Sequence, residues 1–483
     1  MRPKLKILDD SLVARIVDEA REVLKTVGVE IHNPPVVSLL ADHGARLADG
    51  RVRLTDELID TALGSVPSSF GLYDSVGRPS HEFVGDNVSF APGSAAINVL
   101  DGSTGEIRSP NTADYISHAR VVSGLDNIAS QSTALIPSDV PEAISDSYRL
   151  FLSLLYCSKP VITGAFTIEG FEIMRDLQLA VRGSREELEA KPLAVFSACP
   201  TSPIKWSDVT SQNVVDCANW GIPVEFIAMP LSGFMAPVTL VGTLVQHTAE
   251  TLSGLVISQL TRPGAPVLYG GSPAIFDIRY ETTPMGAIET MMIACGYTQI
   301  GASLGMPTQA YIALSDAKLL DAQAGIESGI GAVMAALAGI NSISGPGMLD
   351  FESCQSLEKL VVDNEICGMA LRVVAGVEPR EDFPATPLIE ELIREQHLLI
   401  ADHTRRHLRD EIGFPGPVIE RANRARWLDE GQLTLGERAA AEIERLLASY
   451  EPPPLADDVV GELTRLMESE ARRCGMDDLP ERS

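Results

Sequence analysis

Eight times between residues 88 and 376 a short apolar run is followed by a longer helical pattern. The runs are "VSFAPGSAAINVL" (88–100), "NIASQSTALIP" (127–137), "KPVITGAFT" (159–167), "PLAVFSACP" (192–200), "PVEFIAMP" (223–230), "APVLYGGSP" (265–273), "PTQAYIAL" (307–314) and "SISGPGML" (342–349). Helical spacing fills 112–125, 140–156, 169–182, 207–219, 238–261, 286–304, 318–338 and 356–376. Several runs open on proline, which the first residue of a strand tolerates because it need not donate to the ladder. Apolar runs of this kind fit strands buried on both faces, as in a parallel sheet under helices. Eight such units predict an α/β fold, a (β/α)8 barrel spanning residues 89–380. A doubly wound open sheet is the alternative. It would need a glycine-rich phosphate turn after its first strand, and no G-x-G-x-x-G opens a helix here.

The flanks differ. Residues 1–88 read as an amphipathic helix with Leu12, Val13, Ile16, Val17, Ala20 and Val23 on one face, then a small α/β addition with a hairpin around Asp49-Gly50. Residues 381–483 read as a charged helical extension, with helices over 388–410, 433–449 and 456–474.

Composition narrows the partners. The 483 residues carry 66 acidic and 38 basic side chains, a net charge of −28. Such a surface repels nucleic acid and anionic lipid, so neither is expected as a partner. The seven cysteines are scattered and form no C-x-x-C pair, which argues against a disulfide framework or a zinc knuckle. No apolar stretch has the length of a signal or a membrane span, so a cytoplasmic protein is expected.

In a barrel, function gathers where strands end. The third run ends near Phe166, the fourth near Cys199 and Thr201, the fifth near Met229 and Phe234, and the sixth near Tyr269, Ser272 and Phe276. The seventh ends at Leu314, Ser315 and Asp316, and the eighth at Gly345 to Leu349. No G-x-S-x-G elbow and no H-E-x-x-H occurs. His403 and His407, four apart beside Asp402, are read as a solvated helix face rather than a metal pair. A rim of aromatic, methionine and carboxylate groups suits a methylated ammonium, because aromatic faces attract a desolvated cation. Asp316, Asp277 and Glu327 would add opposite charge. The plain alternative is that Phe276 and Tyr311 are core and that Asp316 caps the following helix.

Four strings carry a resemblance: "CPTSPIKWS" (199–207), "GTLVQHTAETLSGLVISQLTRPGAPVLYGG" (242–271), "LSDAKLLDAQAGIES" (314–328) and "GMLDFESCQSLEKLVVDNEI" (347–366). With them the chain resembles the trimethylamine methyltransferase family. The resemblance implies a barrel in a homo-oligomer, a trimer or its multiples. It also implies methyl transfer from a methylated amine to the Co(I) corrinoid of a partner protein. Archaeal founders carry pyrrolysine immediately before a T-D-A-K string. Here the string is Ser315-Asp316-Ala317-Lys318, and the pyrrolysine position falls on Leu314. That points to the non-pyrrolysine branch and to a quaternary amine, glycine betaine or a related betaine, as methyl donor. No D-x-H-x-x-G string occurs, so no cofactor is expected on this chain, and cobalamin is expected on a cognate corrinoid protein.

The resemblance then implies roles. Leu314, Asp316 and Glu327 stand at the reacting centre, with Leu314 and Met348 as its apolar floor. Phe276, Tyr311, Tyr269 and Phe234 cage the ammonium, and Trp206 stacks on substrate or packs on the rim. His247 and Arg279 would meet a substrate carboxylate. Gly345 and Gly347 allow close backbone approach, and no metal is expected. Transfer directly to a folate and a non-catalytic betaine-binding barrel are the alternatives.

Overall fold

The computed structural model describes residues 2–482. Eight short parallel strands form its centre: β1 (Ser89–Ala91), β2 (Gln131–Ser132), β3 (Val161–Thr163), β4 (Ala194–Ala198), β5 (Val224–Ala228), β6 (Val267–Gly271), β7 (Gln309–Tyr311) and β8 (Ser342–Ser344). β2 to β6 pair in sequence order, as do β7 and β8, and β8 pairs with β1. Backbone bonds join the two sheets at both edges. Tyr269 N–H donates to Pro307 at 2.9 Å, and Ala129 N–H donates to Phe90 at 2.8 Å. The chain is thus α/β, with parallel neighbours joined by helical crossovers.

The helices follow the sequence pattern closely: α1 (Thr112–Ser123), α2 (Ser145–Tyr156), α3 (Ile168–Arg182), α4 (Asp208–Trp220), α5 (Leu240–Thr261), α6 (Ile288–Ser303), α7 (Ala322–Ala338) and α8 (Leu357–Ala375). Side-chain caps set many starts. Asn111 and Asp114 form a capping box on α1, and Thr239 and Ser356 open α5 and α8. α7 corrects an expectation: its cap is Asp321, which accepts from Gln323 and Ala324 N–H, and Asp316 lies upstream of the helix.

Alternation along the strands divides the core in two. Phe90, Phe196, Phe226, Tyr269 and Ile343 belong to the large core shared with the helices. Ala91, Ile162, Val195 and Leu268 form a small separate cluster on the other face, the inner one. Leu72 and Phe83 plug it from the hairpin Phe70–Tyr73/Pro79–Phe83.

The flanking segments pack onto this body. The helix Asp10–Thr26 lies on α5 and α6, and the expected hairpin pairs Arg46–Ala48 with Arg51–Arg53. Asp49 and Gly50 both take positive φ there, as such a two-residue turn demands. The helices Leu435–Ala448 and Asp457–Arg473 lie against α1, α8 and against α2, α3. The segment 388–410, read above as one helix, is two: Thr386–Glu395 and Asp402–Glu411. Gln396, in the left-handed conformation, ends the first. Among the described residues no helix is long and apolar enough to cross a membrane.

Candidate functional site

The string after β7 works as a junction. Each oxygen of the Asp316 carboxylate takes one backbone donor, Met285 N–H at 2.8 Å and Gly286 N–H at 2.9 Å. Burial, opposed by these donors and helped by nearby Glu327, pushes Asp316 up to about 6. Glu327 reaches back from α7. Its Oε2 accepts from Ser315 Oγ at 2.5 Å and Asp316 N–H at 2.8 Å, and its Oε1 from Gln323 at 2.9 Å. Lys318 donates to the Asp316 carbonyl at 2.7 Å, pairs with Asp350 at 3.1 Å and sits 3.8 Å over the Phe351 ring. Asp350, Phe351 and Glu352 all take positive φ, which non-glycine residues rarely do. Lys318 therefore clamps a strained turn, and that turn carries Glu352.

Glu352 belongs to a polar cluster on the inner face. Its carboxylate lies near the Ser94 amide, which lowers its pKa somewhat, and Ser94 Oγ lies 3.3 Å from the Tyr311 hydroxyl. On β4 and β5, Ser197 Oγ donates to Glu225 Oε1 at 2.7 Å. Gln309 accepts from Gly271 N–H at 3.1 Å. Several polar atoms there are out of solvent and without a partner: Glu225 Oε2, Glu352 Oε1, Gln309 Nε2 and Ser344 Oγ. Burial pushes Glu225 up to about 7, against the Ser197 hydrogen bond. Burial, with Glu225 adding, raises Glu352 well above the carboxylate range. The Tyr311 phenol is raised well above 10 by burial and by the same two acids. Burial and these acids push the Cys199 thiol up to about 12. Two acids, a phenol and a thiol thus lie close enough to act on one another, and no basic side chain acts on either acid.

A family model described as "Trimethylamine methyltransferase (MTTB)" matches residues 1–475. The chain belongs to the trimethylamine methyltransferase family. A trimethylamine methyltransferase of Methanosarcina thermophila is 30% identical over 92% of both chains. One from Desulfitobacterium hafniense (strain DSM 10664 / DCB-2) is 29% identical over 92% of this chain and 90% of its own length. The glycine betaine methyltransferase of Desulfitobacterium hafniense (strain Y51) is 29% identical over 98% of each. The crystal structure of the Methanosarcina barkeri monomethylamine methyltransferase superposes with a TM-score of 0.53 at 12% identity. It covers 98% of this chain and 89% of that one. At that identity the superposition speaks to the fold.

Within this methyltransferase-family framework the residues nominated from sequence separate into three places. Tyr311 lies in the inner cluster. Leu314 is buried just beyond it, after Ala313 turns the chain with φ 67°. Met348 is buried against Gly93. Gly345 and Gly347 do make close approaches, but to this chain's own atoms: the Ile312 carbonyl and the Gln355 side chain. Gly347 N–H also donates to Asp363 at 2.7 Å.

A second group sits outside the strand ends. Phe276 and Phe234 stack with centroids 4.8 Å apart, on a two-stranded ribbon (Leu231–Ser232 with Ala274–Ile275) that continues β5 and β6. Arg279 is exposed and held by Asp277 at 2.6 Å, so it offers a paired guanidinium to solvent rather than a free one to the cluster.

The third group faces the helices. Tyr269 donates to Thr248 at 2.9 Å, and Trp206 to Ser253 at 2.8 Å. His247 bonds the Gly270 carbonyl at 3.0 Å and stacks on Tyr297 at 4.2 Å. Burial pushes its pKa down to about 3, so the ring is neutral. Strand alternation turns Tyr269 away from the inner face, and His247 rides on α5 behind the sheet. Neither reaches the polar cluster. His403 and His407 lie with ring centroids 4.9 Å apart, and no group of three metal-ligating side chains occurs among the described residues.

Glu225, Glu352, Ser94, Gln309 and Ser344 escaped the sequence reading. One signal was present: "PVEFIAMP" sets a carboxylate in a run otherwise apolar enough to be buried, where acids are rare unless paired.

Proposed function

We propose that this protein takes a methyl group from a quaternary ammonium compound, glycine betaine or a related betaine, and passes it to the Co(I) corrinoid of a separate partner protein. The reaction centre is the inner polar cluster, within eight strands closed into a barrel over 89–380. Residues 1–88 and 381–483 serve as flanking units, and the protein acts as a homo-oligomer.

One observation carries the reading. Glu225 and Glu352 are buried at orphaned oxygens, in one cluster and with no basic partner. Buried acids without a counter-charge are costly. A tetraalkylammonium supplies the missing charge and asks for no hydrogen bond. The Tyr311 ring adds a face worth about 0.5–2 kcal/mol to a desolvated cation. Leu314, at the position where the resemblance places pyrrolysine, brings no electrophile, and a quaternary donor needs none.

A quaternary nitrogen already bears the charge that makes a neutral amine the leaving group. No proton need move at that nitrogen, and the acceptor supplies the nucleophile. The chain's task is to strip water from the cation, hold it, and aim one methyl outward for in-line transfer. The positive charge disappears as the methyl leaves. A permanently ionised pair of acids would then stabilise the bound cation more than the transition state. Because burial raises both acids, the pair carries less than its full charge in the free site, which limits that penalty.

The test uses a Co(I) corrinoid protein with the enzyme and a panel of glycine betaine, proline betaine, carnitine, choline and trimethylamine. Loss of the Co(I) absorbance and gain of methyl-Co(III) with a quaternary amine is the expected result. Turnover of trimethylamine alone, methylation of a folate without any corrinoid, or binding without transfer each overturns the proposal.

A further inference from the structure

Two charged side chains lie wholly inside the molecule, and no step assigned above uses them. Lys359 and Asp363 stand one turn apart on α8 and are 0% and 2% exposed. Lys359 Nζ donates to Asp363 Oδ2 at 2.5 Å and to Ser328 Oγ of α7 at 2.8 Å. The same Asp363 oxygen accepts from Gly347 N–H at 2.7 Å. Stability does not call for such a pair. Taking two ions out of water is costly, and an apolar pair of like volume is often as stable or more so. Burial pushes the Asp363 carboxyl up, against the pull of Lys359 and of the Gly347 N–H. What the charges add is direction. Lys359, tied at Ser328, fixes the carboxylate, and the carboxylate fixes one peptide N–H.

That peptide matters because of what hangs from its neighbours. Gly347 takes φ 87°, a Cβ there would overlap the Gln355 amide, and its carbonyl accepts from Ser356 N–H at 3.0 Å. Gly347 is therefore gripped at both its N–H and its C=O by the start of α8. On one side of it, the Pro346 carbonyl accepts from Gly93 N–H at 3.3 Å, and Gly93 precedes Ser94. On the other, the Met348 carbonyl accepts from Ser315 N–H at 3.1 Å, and Ser315 follows Leu314. Ser94 meets the Tyr311 hydroxyl, and Leu314 lies just beyond it. Two segments far apart in sequence thus take their place from one short loop.

We propose that Lys359 and Asp363 are positioning residues for the methyl transfer: their ion pair holds the Gly347 peptide, and the Gly345–Leu349 loop in turn sets Ser94 and Leu314. Neither residue touches the substrate. In-line transfer makes the requirement strict. A displacement of about 1 Å can cost about a hundredfold in rate, and a reacting centre is only as exact as the groups that lock its side chains. Residues 345–347 belong to no strand or helix, so the ion pair supplies the rigidity that regular structure gives elsewhere.

The kinetic test rests on the methyl-transfer reading, and an exchange test does not. Amide hydrogen exchange of the unmodified full chain, resolved by fragmentation mass spectrometry, reads the grip on Gly347 without substrate. The Gly347 amide is expected to exchange as slowly as amides inside α8, and exchange at the rate of exposed turns overturns the proposal. Two double variants then separate hydrogen bond from charge, and neither buries a lone ion as a single substitution would. Lys359→Met with Asp363→Asn keeps an acceptor for Gly347 N–H. Lys359→Met with Asp363→Leu removes it. The leucine form is expected to lose about a hundredfold in kcat per folded molecule with KM unchanged, and the asparagine form to recover most of that loss. Equal kcat in the two forms overturns the proposal, as does an effect on KM alone. Where the leucine form fails to fold, the exchange measurement decides by itself. A wild-type enzyme that moves no methyl group from any quaternary amine overturns the methyl-transfer reading instead, and the exchange result still judges the grip on the loop.

Discussion

The two faces of the parallel strands obey opposite rules. On the helix side Tyr269, Trp206, His247 and Tyr297 are large, buried and paired, each polar handle but one meeting a neighbour. The exception is His247 Nδ1. On the inner side Glu225, Glu352, Gln309 and Ser344 are also withdrawn from water, yet each keeps an unmet polar atom. The first pattern is what a stable core requires. The second costs stability, and sites prepared for a ligand bear that kind of cost. The aromatic residues Tyr269, Trp206 and Tyr297 therefore mark packing, while Glu225 and Glu352 lack the partners that a packing role would give them.

The comparison can be broken in several ways. The largest effect is expected on the helix side. Trp206→Ala, which empties a fully buried site, should cost about 3–5 kcal/mol of stability and leave turnover per folded molecule unchanged. A thermal or denaturant melt beside a methylation assay reads both, and an intact melt with lost turnover would reverse the assignment.

Next comes the pH dependence of Glu225. Its folded value of about 7 lies above the ordinary 4.5. The stability it contributes is full below about 4.5 and is lost as pH rises through about 7. The loss amounts to about 3 kcal/mol. Glu225→Gln should remove that decline, so denaturant melts of the two proteins should diverge between pH 5 and 8. Binding runs the other way. A bound cation favours the ionised acid, so affinity for a quaternary ammonium should rise about tenfold per pH unit up to about 7 and then flatten.

Glu225→Gln and Glu352→Gln should each lower kcat/KM about a hundredfold, near 2.7 kcal/mol. Equal losses of melting temperature without a kinetic effect would place both acids in the structural class. Lys318→Met frees the 350–352 turn and should cost about tenfold in kcat/KM, near 1.4 kcal/mol. Its effect should largely vanish in a Glu352→Gln background, because the two act through one element. The smallest effect is expected for His247→Asn. KM should not change selectively for substrates bearing a carboxylate, and a selective rise would return His247 to the binding site.

Much of the architecture was legible. α5, expected over 238–261, spans Leu240–Thr261, and α3, expected over 169–182, spans Ile168–Arg182. Helical spacing, caps and opening prolines are local signals, read between residues a few positions apart. The split of 388–410 was missed because Leu398, Leu399 and Ile400 prolong the apolar pattern past the left-handed Gln396. The candidate site was much less legible. Tyr311 was singled out and lies in the cluster. Tyr269, immediately before a glycine pair, was singled out for the same chemical reason and faces the other way.

By itself the sequence determined the succession of strands and helices, the acidic surface, the family and the leucine at 314. Each depends on residue type and on spacing along the chain. Only the tertiary structure decided that Ser94, Ser197, Glu225, Tyr311 and Glu352, drawn from five separate strands or the turns after them, belong to one polar cluster. Which face of a strand turns inward depends on how the sheets curve and what the helices cover. Whether a buried acid finds a partner depends on side chains hundreds of residues away.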